Sequence, residues 1–292
     1  MINVISHDPG GAELLSSWIA NNASKNYIYS LKGPAKNIFK RKIKNLDRFS
    51  SKKKFDYNKV IVTTGSDYER KMIFKSYKQK KYLIVVLDHW INYKERLLIK
   101  NKQILPNEIW VFDKKAEIIS KKIFKCKITR KKNFYYANSK KFFLKNKKKK
   151  KNDLLFICDP NPPKLKKTDS FMNFYDEKKV IKYIVSFFLN DFINAKKVIL
   201  RLHPNQLKRL KYWKNYYKNK FFKFKNKIYF TKNNYLTKDL INVKKVFGGN
   251  SAALNLSSFL GIKTYSISIK KKNNYKFYLI PNNKKMNFIN IK

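Results

Sequence analysis

Residues 2–19 read INVISHDPGGAELLSSWI. A short apolar run ends at Ser6, the turn His7-Asp8-Pro9-Gly10-Gly11 follows, and Leu14, Leu15, Trp18 and Ile19 then recur at helical spacing. Strand, tight turn and amphipathic helix form the unit from which parallel α/β sheets are built. The turn is unusual for this chain. Only 7 Gly and 3 His occur in 292 residues, and this one turn takes a His and two Gly. Such a concentration marks a binding element rather than a plain connection.

The same alternation runs outward from this unit. Apolar runs at 27–31, 59–66, 82–90 and 108–113 read as strands, with helices at about 67–81 and 114–124 and a short strand near 126–129. Residues 138–153 then carry five consecutive lysines without apolar period, which reads as an exposed linker. The alternation restarts with a strand at 154–159 and a long helix over 177–193. A strand at 197–204 follows, then a helix through Tyr216, a strand at 227–231 and a short helix at 236–242. The strand KKVFGG, the helix SAALNLSSFLG and a strand at 263–269 end the pattern. The expected fold is α/β: two Rossmann-like domains with parallel sheets, 1–140 and 153–292, joined by a Lys-rich linker at 141–152 and facing across a cleft.

The formal charge of +51 suggests nucleic acid at first. The residues in excess are Lys, Asn, Ile, Phe and Tyr, however, and Gly, Ala, Pro and Arg are scarce. An AT-rich genome imposes that composition, and the lysines are spread along the whole chain. No specific nucleic acid is therefore expected as partner, although the charge attracts anions and acidic membrane surfaces. Cys126 and Cys158 lack the spacing of a zinc site or redox pair. The first residues read as strand and turn, not as a secretory signal, and runs such as YLIVVL fall far short of a membrane span. The expected location is cytoplasmic, with room for a peripheral position at the inner face of the membrane.

The scarce residues fall at strand ends. His7, His89 and His203 each close a strand, where ligands bind in this fold class, and they are expected to open on one cleft. No pair has metal-ligand spacing, so no metal is expected. Residues 246–261, VFGGNSAALNLSSFLG, bring a strand to Gly248-Gly249 and then to a helix capped by Asn250 and ended at Gly261, with Asn250 and Ser251 able to bond a phosphate. The glycines allow close backbone approach, and the helix amino end offers unpaired N–H groups to an anion. A tight turn with an ordinary cap is the structural alternative. Neither GxGxxG nor a P-loop is present, which speaks against a dinucleotide dehydrogenase or an ATPase. Arg201 and His203 lie two apart on a strand, so they share a face and could both reach a phosphate; Arg201 could equally pair with a carboxylate.

RLHP at a strand end, followed about 45 residues later by GGNSAALNLSSFLG, resembles the carboxyl half of bacterial GT-B glycosyltransferases. It is similar to the His-Pro and Ser motifs of the sialyl- and polysialyltransferases and of the capsule and teichoic-acid polymer transferases. The resemblance implies that His203-Pro204 and Asn250-Ser251 hold the phosphates of a nucleotide sugar. HDPGGAE resembles the first Gly-rich turn of the amino half, which implies Asp8 as catalytic base, with Gly10 and Gly11 lining the turn. The segment LDHWINYKERL also resembles a motif of surface-polysaccharide proteins, without a role that carries over.

The function this implies is metal-independent glycosyl transfer from a nucleotide sugar, which is a substrate, so that no cofactor is needed, to a glycan or lipid-linked acceptor in surface polysaccharide synthesis. Asp8 would take the acceptor proton; His7 or His89 could serve instead. Asp8 is also a good helix N-cap, its structural alternative. Two other readings stay open. One is an enzyme of the same shape with other chemistry, such as a nucleotide-sugar epimerase, which would want several inward carboxylates, or a polyol-phosphate transferase. The other is a non-enzymatic binder of anionic polymers, for which KYWKNYYKNKFFKFKNK at 211–227 interleaves aromatic and basic residues. That stretch could equally be a helix packing its aromatics inward.

Overall fold

The computed structural model describes residues 1–22, 26–44, 46, 57–88, 90, 92–147, 152–158, 177–249, 251–269 and 286–291. The chain divides into two compact units, Met1–Ala137 and Asn138–Lys292.

The first unit runs β1 (Ile2–Ser6), α1 (Pro9–Ala20), β2 (Tyr27–Leu31), α2 (Pro34–Lys42), β3 (Lys59–Thr63), α3 (Asp67–Lys78) and β4 (Tyr82–Val86). It continues with α4 (Tyr93–Leu97), a small hairpin of β5 (Leu98–Ile99) and β6 (Lys102–Gln103), β7 (Glu108–Val111), α5 (Lys114–Ile123) and β8 (Lys127–Arg130). Its sheet has the order β2-β1-β3-β4-β7-β8, and every neighbouring pair is parallel. The continuous apolar runs are explained by burial on both faces. Val4, Ile61 and Ile84 face one core with Leu15, Ile19, Ile38 and Phe39. The residues between them, Ile5, Val60, Val62 and Val85, face the other with Ile73 and Ala116. Successive side chains on a strand point to opposite faces, so no polar residue fits in these strand centres. Each fully buried Val, Leu or Ile contributes about 1.5–3 kcal/mol.

The second unit holds β9 (Asp153–Ile157), α7 (Glu177–Phe187), α8 (Leu189–Asn194), β10 (Val198–Arg201), a 3-10 turn at Pro204–Arg209 and α9 (Leu210–Lys220). A second 3-10 turn at Phe222–Lys227, β11 (Ile228–Phe230), α10 (Leu236–Leu240), β12 (Val243–Gly248), α11 (Ala252–Phe259), β13 (Lys263–Ile269) and β14 (Met286–Ile291) complete it. The order is β11-β10-β9-β12-β13-β14, again with all pairs parallel. Its core is aromatic, built on Phe156, Phe188, Phe192, Tyr217, Phe221, Phe247 and Tyr265. The basic-aromatic stretch 211–227 therefore spends Tyr217, Phe221 and Phe224 inside, with Trp213 and Tyr216 packed against them.

Several elements differ from the sequence reading, which did not include α2, α4 or the β5–β6 hairpin. The helix expected over 177–193 is two helices that part at Phe188, whose ring turns in against Phe247 and Tyr265. A helix α6 (Phe134–Asn146) runs into the stretch expected as linker from 141, because Phe143 is buried. A sixth strand, β14, lies beyond the last expected one.

Both sheets reverse their strand order next to their first strand. In the first unit the reversal separates β1 from β3; in the second it separates β9 from β12. Connections leave in opposite directions at these points and open a crevice at the carboxyl ends of the strands.

Candidate functional site

The turn after β1 sits at the first of these crevices. Asp8 is the N-cap of α1: its Oδ2 accepts from Gly10 N at 3.3 Å, and Pro9 occupies the first helical position. Small residues are required here. A Cβ on Gly10 would lie 2.2 Å from Asp88 Oδ2 and 3.5 Å from Asp8 Oδ2, so both carboxylates border that glycine. A Cβ on Gly65, after β3, would lie 2.8 Å from Asp8 Cγ, and Gly65 has φ +131.

Glu69, on α3, ties the ends of β1 and β3 together. It is fully buried. Its Oε1 accepts from His7 N at 2.8 Å, from Asp8 N at 3.0 Å and from the Thr63 hydroxyl; its Oε2 accepts from Ser66 N and Ser66 Oγ, both at 2.9 Å. Ser66 returns a bond from Glu69 N, so the pair is also the capping box of α3. A second network joins β3 to the end of β4. Arg96 Nη1, on α4, donates to Thr64 Oγ1 at 2.8 Å and pairs with Asp88 Oδ1 at 2.5 Å.

Three carboxyl groups thus lie together in a chain of +51: Asp8 feels the charges of both Asp88 and Glu69, and Arg96 lies near Asp88 and Asp8. Glu69 accepts from five donors, and Asp88 pairs with Arg96. Among the described residues Asp8 accepts from Gly10 N alone; it stands largely buried, and its pKa rises to about 7, first through desolvation, then through the charges of Asp88 and Glu69. A carboxyl group half-protonated near neutrality can take or give a proton.

His7 follows β1 as expected, with its ring against Gly33, where an added Cβ would meet Nε2 at 2.5 Å, and beside the Tyr68 ring. Among the described residues its buried Nδ1 has no hydrogen-bond partner. A Cβ on Gly11 would come 2.7 Å from Thr63 Cβ, so Gly11 serves the packing of α1 on β3. His89 lies outside the described residues.

In the second unit, Arg201 and Gly248 both pair in register with Ile157 of β9, one on each side. Their Cα atoms are therefore two strand spacings apart, about 10 Å. His203 follows β10 and Gly249 follows β12 at that same edge. His203 is mostly buried, and desolvation pulls its pKa down to about 4. It is neutral at pH 7 and can offer a phosphate one N–H but no charge. Its backbone N donates to Gln206 Oε1 at 2.8 Å, and Gln206 Nε2 reaches Tyr217 Oη at 3.0 Å, which fixes the Pro204 turn. Ser251 caps α11, its Oγ accepting from Ala253 N at 3.2 Å. Asn250 lies outside the described residues.

Two of the residues read toward a phosphate also have protein partners of their own. Arg201 Nη1 is committed to the buried Asp239 and to the Asn233 carbonyl, the carboxylate pairing that the sequence left open. Gly248 is needed for packing: a Cβ there would lie 3.0 Å from Ile157 O and 3.4 Å from Leu254 Cδ2. What the sequence reading missed is Glu69 and Arg96. The Ser66-x-x-Glu69 spacing was a visible capping signal, and Arg96 is one of few arginines in a lysine-rich chain.

No described protein family matches the chain, and no curated protein sequence does. Solved structures do. The UDP-GlcNAc 2-epimerase of Methanocaldococcus jannaschii, in complex with UDP-GlcNAc and UDP, superposes with a TM-score of 0.57 at 14% identity over 91% of this chain and 83% of that one. A protein of Listeria monocytogenes described as a UDP-N-acetylglucosamine 2-epimerase gives 0.59 at 10% identity, over 91% and 78%. Anabaena HepE, in complex with UDP and glucose, gives 0.54 at 9% identity, over 91% and 80%. At such identities the likeness shows the fold: this chain has the α/β architecture of GT-B proteins, with one parallel six-stranded sheet in each unit.

Proposed function

We propose that this protein is an enzyme acting on a nucleotide sugar, and that it transfers the glycosyl group to an acceptor hydroxyl with Asp8 as the base. One observation carries the reading: Asp8, at the strand-order reversal of the first unit, is a carboxyl group poised to exchange a proton near pH 7. The other two carboxylates are committed, Glu69 to five donors and Asp88 to Arg96. A site with one free carboxyl suits the removal of one proton from an attacking hydroxyl. In the second unit, the amino end of α11 and the His203-Pro204 turn, which flank β9, are the elements proposed to bind the nucleotide. The solved structures of this fold that hold UDP or UDP-GlcNAc support a nucleotide sugar as the ligand class.

A second reading, epimerisation, is favoured by the convergence of Asp8, Glu69 and Asp88, more inward carboxylate than the sequence suggested. The two separate in one experiment. The protein is incubated with UDP-GlcNAc, with and without a glycan acceptor, and followed by proton NMR. Acceptor-dependent release of UDP supports transfer; a 2-epimer formed without acceptor supports epimerisation. The donor base is found first by thermal shift against UDP, CMP, GDP and CDP, since a nucleotide at 100 times its Kd adds about 2.7 kcal/mol.

The nucleotide site has its own test. His203→Ala and Ser251→Ala each remove one hydrogen bond to an anionic phosphate, worth about 1.5–3 kcal/mol or roughly 10- to 100-fold in Kd. Ser251 also caps α11, so the ligand-free thermal midpoint is measured beside the affinity. Unchanged affinity in both variants rejects this site.

A further inference from the structure

We infer that the α7–α8 corner of the second unit, with the second 3-10 turn, is a docking surface for an anionic lipid membrane. Four large apolar side chains stand out of this corner. Phe187 and Phe222 are each 65% exposed, Ile193 52% and Leu189 41%. They belong to one surface because the elements that carry them are locked together underneath. Phe192, between Leu189 and Ile193, packs its buried ring against Phe221 at 6.0 Å and Phe224 at 5.2 Å. Lys227 donates to the Ile193 carbonyl. The Phe187 ring is backed by Tyr183, stacked at 5.4 Å, so it stands upright rather than folding in.

The charge around these side chains has one sign. From residue 192 to residue 238 the sequence contains no Asp or Glu. Lys196, Lys197, Lys223 and Lys225 are exposed on the flanks, and Lys225 Nζ sits 5.1 Å from the Phe222 ring centroid. The one carboxylate of α8, Asp191, is already paired with Lys244 and Lys245. Apolar side chains that enter the acyl boundary, ringed by lysines that meet phosphate head groups, are what an anionic bilayer surface binds. A nucleic acid fits less well. It binds by stacking on aromatic faces, whereas Leu189 and Ile193 have none and Tyr183 already takes one face of Phe187.

The corner lies at the amino edge of the sheet, since α8 leads into β10 and the 3-10 turn into β11. The candidate nucleotide elements lie at the carboxyl edge. Docking can therefore be tested apart from any reaction. The full chain is sedimented with vesicles of phosphatidylcholine alone and of phosphatidylcholine with phosphatidylglycerol. Binding is expected to the second only and to weaken with salt. Phe187→Ser with Phe222→Ser should lower binding at least ten-fold, and Lys223→Gln with Lys225→Gln about five-fold per lysine. Lys71→Gln with Lys75→Gln, exposed on α3 of the first unit, should change it less than two-fold. The four substituted positions at the corner are exposed, so circular dichroism and the thermal midpoint should stay as in the native chain. Equal binding to both vesicles, or equal loss in the α3 control, overturns the proposal. So does single-stranded RNA binding that falls with the corner variants while vesicle binding does not, or self-association through this corner without vesicle binding.

Discussion

Asp8→Asn is expected to lower turnover by about 10²–10⁴ while nucleotide affinity stays unchanged, the range for loss of a general base. The substitution separates charge from capping, because Asn caps a helix almost as well as Asp and can still accept from Gly10 N. The pH dependence gives a second signature. Asp8 titrates near 7 in the folded protein, raised by burial and by Asp88 and Glu69. The base form accumulates as pH rises, so kcat/KM of the native chain should climb through about pH 7 and then level. Stability moves the other way. A carboxyl group that holds its proton more tightly when folded contributes stability that is full below its unfolded value and is lost as pH rises through the folded one. The native chain should thus lose up to about 4 kcal/mol between acid and pH 8. Asp8→Asn, which cannot ionise, should raise the thermal midpoint at pH 8 and leave it nearly unchanged at pH 4. An active Asp8→Asn enzyme would move the base role to His7 or His89.

The second large effect is on the fold. Glu69→Leu leaves five donors, two hydroxyls and three backbone amides, without the buried Glu69 acceptor. A donor left without its acceptor in the interior costs about 1–3 kcal/mol, so the loss of several lowers the thermal midpoint by several degrees or more in a chain of this size. Glu69→Gln keeps one accepting oxygen and should cost about half as much. It also removes one of the charges that raise the Asp8 pKa, so the pH profile should shift to lower pH. A profile that stays in place would mean that Glu69 acts by packing alone. Calorimetry on both variants and the pH profile of Glu69→Gln check these outcomes.

The parallel sheets were legible because burial on both faces fills most strand positions with apolar side chains, which ILVF runs record directly; Ser266 at the centre of β13 is buried but donates to Gly249 O. β14 was not, since MNFINI alternates with Asn and is separated from β13 by a polar stretch. The break at Phe188 was hidden because Phe187 and Phe188 look alike in sequence although one faces out and the other in. In the site, the His7–Gly11 turn stood out by rarity alone. Glu69 did not, because it acts on residues 61 and 62 positions away, and only the parallel pairing of β1 with β3 brings them together. The partner of Arg201 was open for the same reason: strand periodicity gives the face on which a side chain lies, and Asp239, 38 residues on, decides what it meets there.

The Glu69 network also has a consequence for local motion. Surface turns ordinarily exchange their amide hydrogens with solvent early, through small local openings that need no global unfolding. The amides of His7, Asp8 and Ser66 lie in turns yet share one buried acceptor residue, so none can open while the other two stay bonded to an undisturbed carboxylate. These three hydrogens should exchange together, at rates set by the separation of α3 from the ends of β1 and β3 rather than by fraying of either turn. In Glu69→Gln they should exchange faster and lose their common rate, while the amides in the centres of β3 and β4 keep theirs.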